Sequence, residues 1–209
     1  MSVNLDNKNI DIKAIARKTL KDGALLAELL DNLWSKKETI RYNSHKVIAL
    51  ISEEHPETLY SSWDYLVKFL DSDNTYHKLS AVILLANITS VDRDDKFEKI
   101  FDKFYGLLDD KSFITAAYVS QASGKIALAK PKLQTKITNR LLRIDQTHHE
   151  QERKDLVKAS IIEAFEQYYD QTRNKKKMFE FVERQLSCKS PKTRRKAGEF
   201  LERLNKTGD

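Results

Sequence analysis

The chain predicts an all-α protein, a right-handed α–α superhelix of about five stacked helical hairpins. Three observations carry that reading. The 209 residues include only 5 Gly and 3 Pro, too few turn-formers for a many-stranded β protein. Apolar residues recur at i, i+3, i+4 and i+7 in one segment after another. An apolar residue followed by Asp closes the first helix of successive units: Leu70-Asp71, Leu108-Asp109 and Ile144-Asp145 lie 38 and 36 residues apart, and Leu186-Ser187 follows 42 later. Two helices within a period of about 40 residues make a unit that cannot bury its own apolar faces, so such units stack.

In chain order, the first ten residues are polar and read as loosely attached. Ile10, Ile12, Ile15, Ala16 and Leu20 predict a short leading helix, and Leu25, Leu26, Leu29, Leu30 and Leu33 a second that ends near Trp34 and Ser35. The segment ETIRYNSHKVIALI puts Ile40, Ser44, Val47, Ile48 and Ile51 on one face, and Pro56 marks its exit. The best-defined hairpin covers residues 61–88. Trp63, Leu66, Val67 and Leu70 stripe its first helix, Asp71-Ser72-Asp73-Asn74 form a turn rich in capping residues, and Tyr76, Ser80, Ile83, Leu84 and Ile88 stripe its second. The run Ala81 to Ala86 is apolar around most of the helix, as a middle repeat requires.

After an acidic linker, Phe97, Ile100, Phe101, Phe104, Tyr105 and Leu108 repeat the arrangement. The returning helix runs from Phe113 or Ile114 to Leu128, before Pro131. A fourth unit has Ile137, Leu141, Leu142 and Ile144, then a longer polar connection, then Leu156 to Phe165. In the fifth, Met178, Phe181, Val182 and Leu186 precede a helix that Pro191 opens, where a missing N–H costs nothing. The units read as 10–59, 60–92, 93–133, 134–173 and 174–205 of a single domain spanning 1–209.

The second helices resemble those of HEAT repeats. SPKTRRKAGEFLERL (190–204) is the clearest copy and ETIRYNSHKVIALI the next, and the chain is similar to HEAT and armadillo-type proteins over roughly residues 20–204. The resemblance implies a shape rather than an activity, with the second helices lining a concave face. It also implies a polar ladder between units, from Asp71, Asp109 and Asp145 to Arg41 and Arg194, with His77 and Thr115 where further Arg would stand.

Net charge is +6, and its distribution is uneven. Residues 171–209 hold twelve Lys/Arg against five Asp/Glu, so the rest of the chain is close to neutral. No apolar run approaches the ~20 residues of a membrane span, and the start lacks the apolar core of a signal peptide, so a soluble cytoplasmic protein is expected. A single cysteine, Cys188, excludes an intramolecular disulfide and a multi-cysteine zinc site.

No nucleotide-binding, dinucleotide-binding or serine-hydrolase motif occurs, and no cofactor and no enzymatic activity are expected. His148-His149-Glu150 leads to Arg153 rather than to a second histidine at i+4. Neighbours on a helix diverge by about 100°, so these two histidines are read as a solvated helix start capped by Thr147 or the acidic residues, without a metal. The expected function is a non-enzymatic interaction module for a protein partner. Its binding residues would be Tyr42, His45, Lys46, His77, Lys78, Tyr118, Gln121, Arg153, Lys154, Lys158, Arg194 and Arg195. The alternative is nucleic-acid binding by the basic C-terminal end.

Overall fold

The computed structural model describes residues 3–7 and 9–207. The chain divides into two compact units, Met1–Asp95 and Lys96–Asp209.

In the first unit, α1 (Ile12–Thr19) starts on Asp11, whose carboxylate accepts the Ala14 N–H at 2.9 Å; α2 (Gly23–Asp31) starts on Asp22, which accepts the Leu25 N–H at 3.1 Å. Short polar side chains here satisfy amides that a helix start leaves free. A 3-10 turn, Asn32–Trp34, leads to α3 (Glu38–Glu54), and Pro56 opens a 3-10 run to Ser62. There follow α4 (Trp63–Val67), a 3-10 turn at Lys68–Asp71, and α5 (Thr75–Ile88), capped by Asn74. Both α1 and α2 pack on α3, which packs on α5. Met1, Ser2 and Lys8 of the start expected to be loose lie outside the described residues. Within the described part that expectation is corrected: Leu5 is buried, and Asn43 Nδ2 donates to the Leu5 and Asn7 carbonyls, each at 2.9 Å.

The stripe expected on α4 shifts for a geometric reason. A 3-10 turn has three residues per turn, so Phe69, three after Leu66, enters the core while Val67 stays half-buried. On α5, Ser80, Leu84 and Ile88 are buried as expected, but Tyr76 is exposed. Ala81, Val82, Leu85 and Ala86 are buried too, so most of the helix circumference is enclosed.

The second unit continues the alternation with α6 (Lys96–Gly106), α7 (Phe113–Ala129), α8 (Gln134–Leu141), α9 (Gln151–Tyr168), α10 (Lys175–Arg184) and α11 (Pro191–Thr207). The first helix of each pair presents one apolar face, as α6 does with Phe97, Phe101, Phe104 and Tyr105. The second helices pack on one another, α7 on α9 and α9 on α11.

One turn design recurs through both units. Each first helix closes in a 3-10 turn, and all four registration pairs fall in those turns: Lys68–Asp71, Leu107–Asp109, Ile144–Gln146 and Gln185–Ser187. These four turns, and Asn32–Trp34 before α3, each end on a residue in extended conformation: Ser72, Asp110, Thr147, Cys188 and Ser35, with ψ of 143°, 152°, 161°, 144° and 133°. In the second unit, side chains bond to partners one period away: Arg140 to Asp102 and Thr193 to the Asp155 carbonyl at 38 residues, Asn174 to Thr135 at 39.

Candidate functional site

The structure sorts the expected binding residues into open and enclosed groups. In the first unit Tyr42 and Lys46 are exposed on α3, with Lys46 Nζ 4.3 Å over the Tyr42 ring. His45 is half-buried, and burial pushes its imidazole pKa down. His77 and Lys78 correct the expectation, being 9% and 8% exposed. His77 Nδ1 lies 2.9 Å from Ser72 Oγ, and its ring meets Trp34 edge-on at 4.6 Å. Both sit in the first turn of α5, beneath the 3-10 turn, where the repeat packing closes over them.

In the second unit Tyr118 and Gln121 are exposed on α7 and Arg153 on α9, its guanidinium 4.5 Å over the Phe113 ring of α7. Lys154 is half-buried and donates to the Asp145 carbonyl at 3.3 Å. Lys158 corrects the expectation most clearly. It is 6% exposed, and its Nζ is held by Asp145 at 2.8 Å and Asp155 at 3.1 Å. Arg195 is exposed and pairs with Glu199 at 3.8 Å.

The expected Asp–Arg ladder takes a different form. Arg41 Nη1 donates to the Ser35 carbonyl at 2.9 Å and Arg194 Nη1 to the Cys188 carbonyl at 2.6 Å, each six residues back. The two arginines therefore cap their own turns, whose carbonyls have no helical partner. Asp145 finds its cation in Lys158, and Asp109 pairs with His148.

Apolar residues complete an open stripe that the sequence hid. Ile114, Tyr118, Gln121, Lys125 and Leu128 run along the exposed side of α7 at helical spacing, with Leu156 exposed on α9. Periodicity ranks apolar residues without showing which lack a neighbour, so the exposure of Ile114, Leu128 and Leu156 becomes visible only in the packed repeats.

The turns before α7 and α9 form a second, tighter constellation. The Asp109 carboxylate accepts the His148 backbone N–H at 2.7 Å and lies 2.6 Å from His148 Nδ1. These contacts, the backbone one foremost, hold its carboxyl below the usual range. His149 is buried, with Nε2 3.2 Å from the Leu108 carbonyl, and the two imidazole centroids are 4.4 Å apart. The expected helix cap is corrected: α9 begins only at Gln151, Glu150 makes no side-chain cap, and Thr147 Oγ1 donates back to the Ile144 carbonyl. A cleft lined by Asp109, Arg140, Arg143 and Thr147 opens beside this turn.

Charge divides with the units. Residues 1–95 hold 12 Lys/Arg against 15 Asp/Glu, and residues 96–209 hold 25 against 16, a balance of +9. Near the C-terminus part of the positive charge is locally paired: Lys196 with Glu163 at 3.5 Å, Arg203 with Asp170 at 3.2 Å, and Lys206 with Glu202 at 2.8 Å.

Against known proteins, no protein-family profile matches the chain and no curated protein matches it in sequence. Among solved structures it is similar to a designed armadillo repeat protein, with 22% identity and a TM-score of 0.58 over 93% of this chain and 90% of that one. It is also similar to an engineered protein solved by the Northeast Structural Genomics Consortium, with 19% identity and a TM-score of 0.52 over 94% and 85%. The fold is an armadillo-type helical repeat. In the second unit the long second helices carry both the enclosed Lys158–Asp155 pair and the open stripe. Among the described residues, no helix is long and apolar enough to cross a membrane.

Proposed function

We propose that the chain is a non-enzymatic interaction module that holds an extended protein segment along the exposed faces of its second helices. The observation that carries this is the open stripe on α7, from Ile114 through Tyr118 and Gln121 to Leu128, with Arg153 and Leu156 on the adjoining α9. It combines apolar contact area, an aromatic ring with a wet hydroxyl, an amide able to bond a peptide backbone, and cations in a unit of net charge +9. That chemistry suits an extended segment carrying both apolar and acidic side chains, and helical-repeat solenoids use their long surfaces in this way. Of the residues expected from sequence, Tyr118, Gln121 and Arg153 stay in this role, with Tyr42 and Lys46 as separate contacts on the first unit.

Panning the full chain against a displayed peptide library tests the reading. Enriched peptides should be apolar and acidic, and their affinity should fall at least tenfold in Tyr118→Ala/Gln121→Ala. Enrichment of nothing, or binding indifferent to both substitutions, would overturn it. The +9 balance favours a second reading, contact with nucleic acid, with Arg195, Lys196, Arg203 and Lys206 of the C-terminal charge already paired to carboxylates. Binding to DNA or RNA that weakens steeply as salt rises from ~50 mM would establish that reading instead.

A further inference from the structure

The geometry points to a binding site for a divalent transition ion of the zinc class, formed by Asp109, His148 and His149. Their ligand atoms lie within 4.8 Å of one another. Two imidazoles and one carboxylate are the donors that borderline ions such as zinc, nickel or cobalt select, whereas calcium and magnesium require shells of oxygen. The reading of His148 and His149 as diverging helix neighbours does not apply, because both precede α9. Thr147 and Glu150 on either side are extended, at ψ 161° and 147°, and the two ring centroids lie 4.4 Å apart.

Each donor is already oriented. His149 is 7% exposed; a proton on Nε2 donates to the Leu108 carbonyl and leaves the Nδ1 lone pair free. Metal-bound histidines are fixed in this way, through the nitrogen that does not bind the ion. Asp109 is steered by the His148 N–H. Ligand atoms around a tetrahedral ion at ~2.0–2.2 Å stand roughly 3.3–3.6 Å apart, so the 2.6 Å pair of Asp109 Oδ1 and His148 Nδ1 opens to admit the ion while wider spacings, all within 4.8 Å, narrow, both by χ rotation. The side chains that would rotate, Asp109 and His148, are 56% and 54% exposed, and their exposure leaves the remaining coordination positions to water. On binding, the ion takes the Nδ1 lone pair of His148: an imidazolium gives its Nδ1 proton to solvent, and a neutral ring carries its one proton on the exposed Nε2 instead. Asp109 and His148 are 39 residues apart, one repeat period, so the ion would staple consecutive turns.

Calorimetric titration of the metal-free full chain with zinc chloride is the test, with melting temperature followed in parallel. One equivalent should bind with a dissociation constant on the order of micromolar, and zinc should raise the melting temperature. His148→Gln and Asp109→Asn should each weaken binding at least tenfold and abolish the thermal shift. His55→Gln, in the other unit, should change neither. Absence of binding at ~100 µM zinc, or equal affinity in His148→Gln, overturns the proposal. His149→Gln alters a buried residue and risks misfolding, so the exposed His148 and Asp109 variants carry the decision, with circular dichroism confirming that they fold.

Discussion

In the Met1–Asp95 unit the turn at Lys68–Asp71 is packed with rings. Phe69 stacks on Trp34 at 4.0 Å, and Tyr65 and His77 meet it edge-on at 5.5 and 5.7 Å. In the Lys96–Asp209 unit the corresponding turns are tied by polar contacts, with Asp109 accepting the His148 backbone N–H at 2.7 Å and Asp145 ion-paired to Lys158 at 2.8 Å. The backbone is the same in both: a 3-10 turn, then an extended residue. Turn geometry is therefore set by the short helix and its closing bonds, and the filling can be either apolar area or ion pairs. Apolar filling draws on area removed from water, whereas ionic filling holds only while both partners stay charged.

Removing the filling from each unit should expose the contrast. Phe69 is fully buried among three aromatic neighbours, so Phe69→Ala should cost about 4 kcal/mol, read as a lower urea midpoint. A cost under ~1 kcal/mol would show that the ring cluster collapses into the space and is not what holds the turn. Lys158→Met should cost about 3 kcal/mol, because it leaves the buried Asp155 carboxylate without its cation. Adding Asp155→Leu to it should recover much of that loss. If Lys158→Met alone is neutral, the ionic junction is replaceable by packing and the contrast between the units disappears.

The fold could be read from the sequence because it repeats. Leu70-Asp71, Leu108-Asp109 and Ile144-Asp145 mark a turn whose local chemistry is the same each time. The site was less legible, for two physical reasons. Lys78 and Lys158 read as surface residues because lysine normally is, and only the packing of neighbouring repeats shows that they are enclosed. Asp109 and His148 belong to no local motif, and what unites them is a separation of one repeat period. Scanning for complementary side chains at that spacing would have found the pair, and Asp102 with Arg140 as well.

Acidification should separate the units next. In the first unit, burial lowers the His45 pKa, and burial together with the nearby Arg41 charge lowers that of His77. A histidine whose folded pKa is depressed supports the fold fully above its unfolded value of about 6.5, and the support is lost as pH falls toward the folded value. In the second unit, burial pushes the Asp155 carboxyl up, but hydrogen bonds from Gln151 and Lys158 outweigh it and hold the pKa below the usual range. That contribution persists down to the unfolded carboxylate value of about 3.9 and is lost below it. Amide protection factors in α3 and α5, taken relative to the intrinsic exchange rate at each pH, should therefore fall between pH 7 and 5, while those in α9 hold. Simultaneous loss in all three helices would show that the units respond as one.

The smallest expected effect concerns how closely second helices approach. In the first unit α3 and α5 are joined across a polar bridge, Asn87 Nδ2 to Ser52 Oγ at 2.8 Å. In the second, Gly124 of α7 faces the Gln167 side chain of α9, and a Cβ there would come within 2.4 Å of the Gln167 Cδ. Only the far end of one flexible, exposed side chain stands in the way, and it can swing into solvent. Alanine in a helix interior is favoured over glycine by up to ~1 kcal/mol, because glycine loses more backbone freedom on folding. Gly124→Ala should therefore stabilise the second unit by somewhat less than 1 kcal/mol, a small rise in melting temperature. A fall would mean that Gln167 is held in place, which would make the contact between α7 and α9 a constrained one. Gly124→Ala/Gln167→Ala would then restore the gain and identify the glutamine as the obstruction.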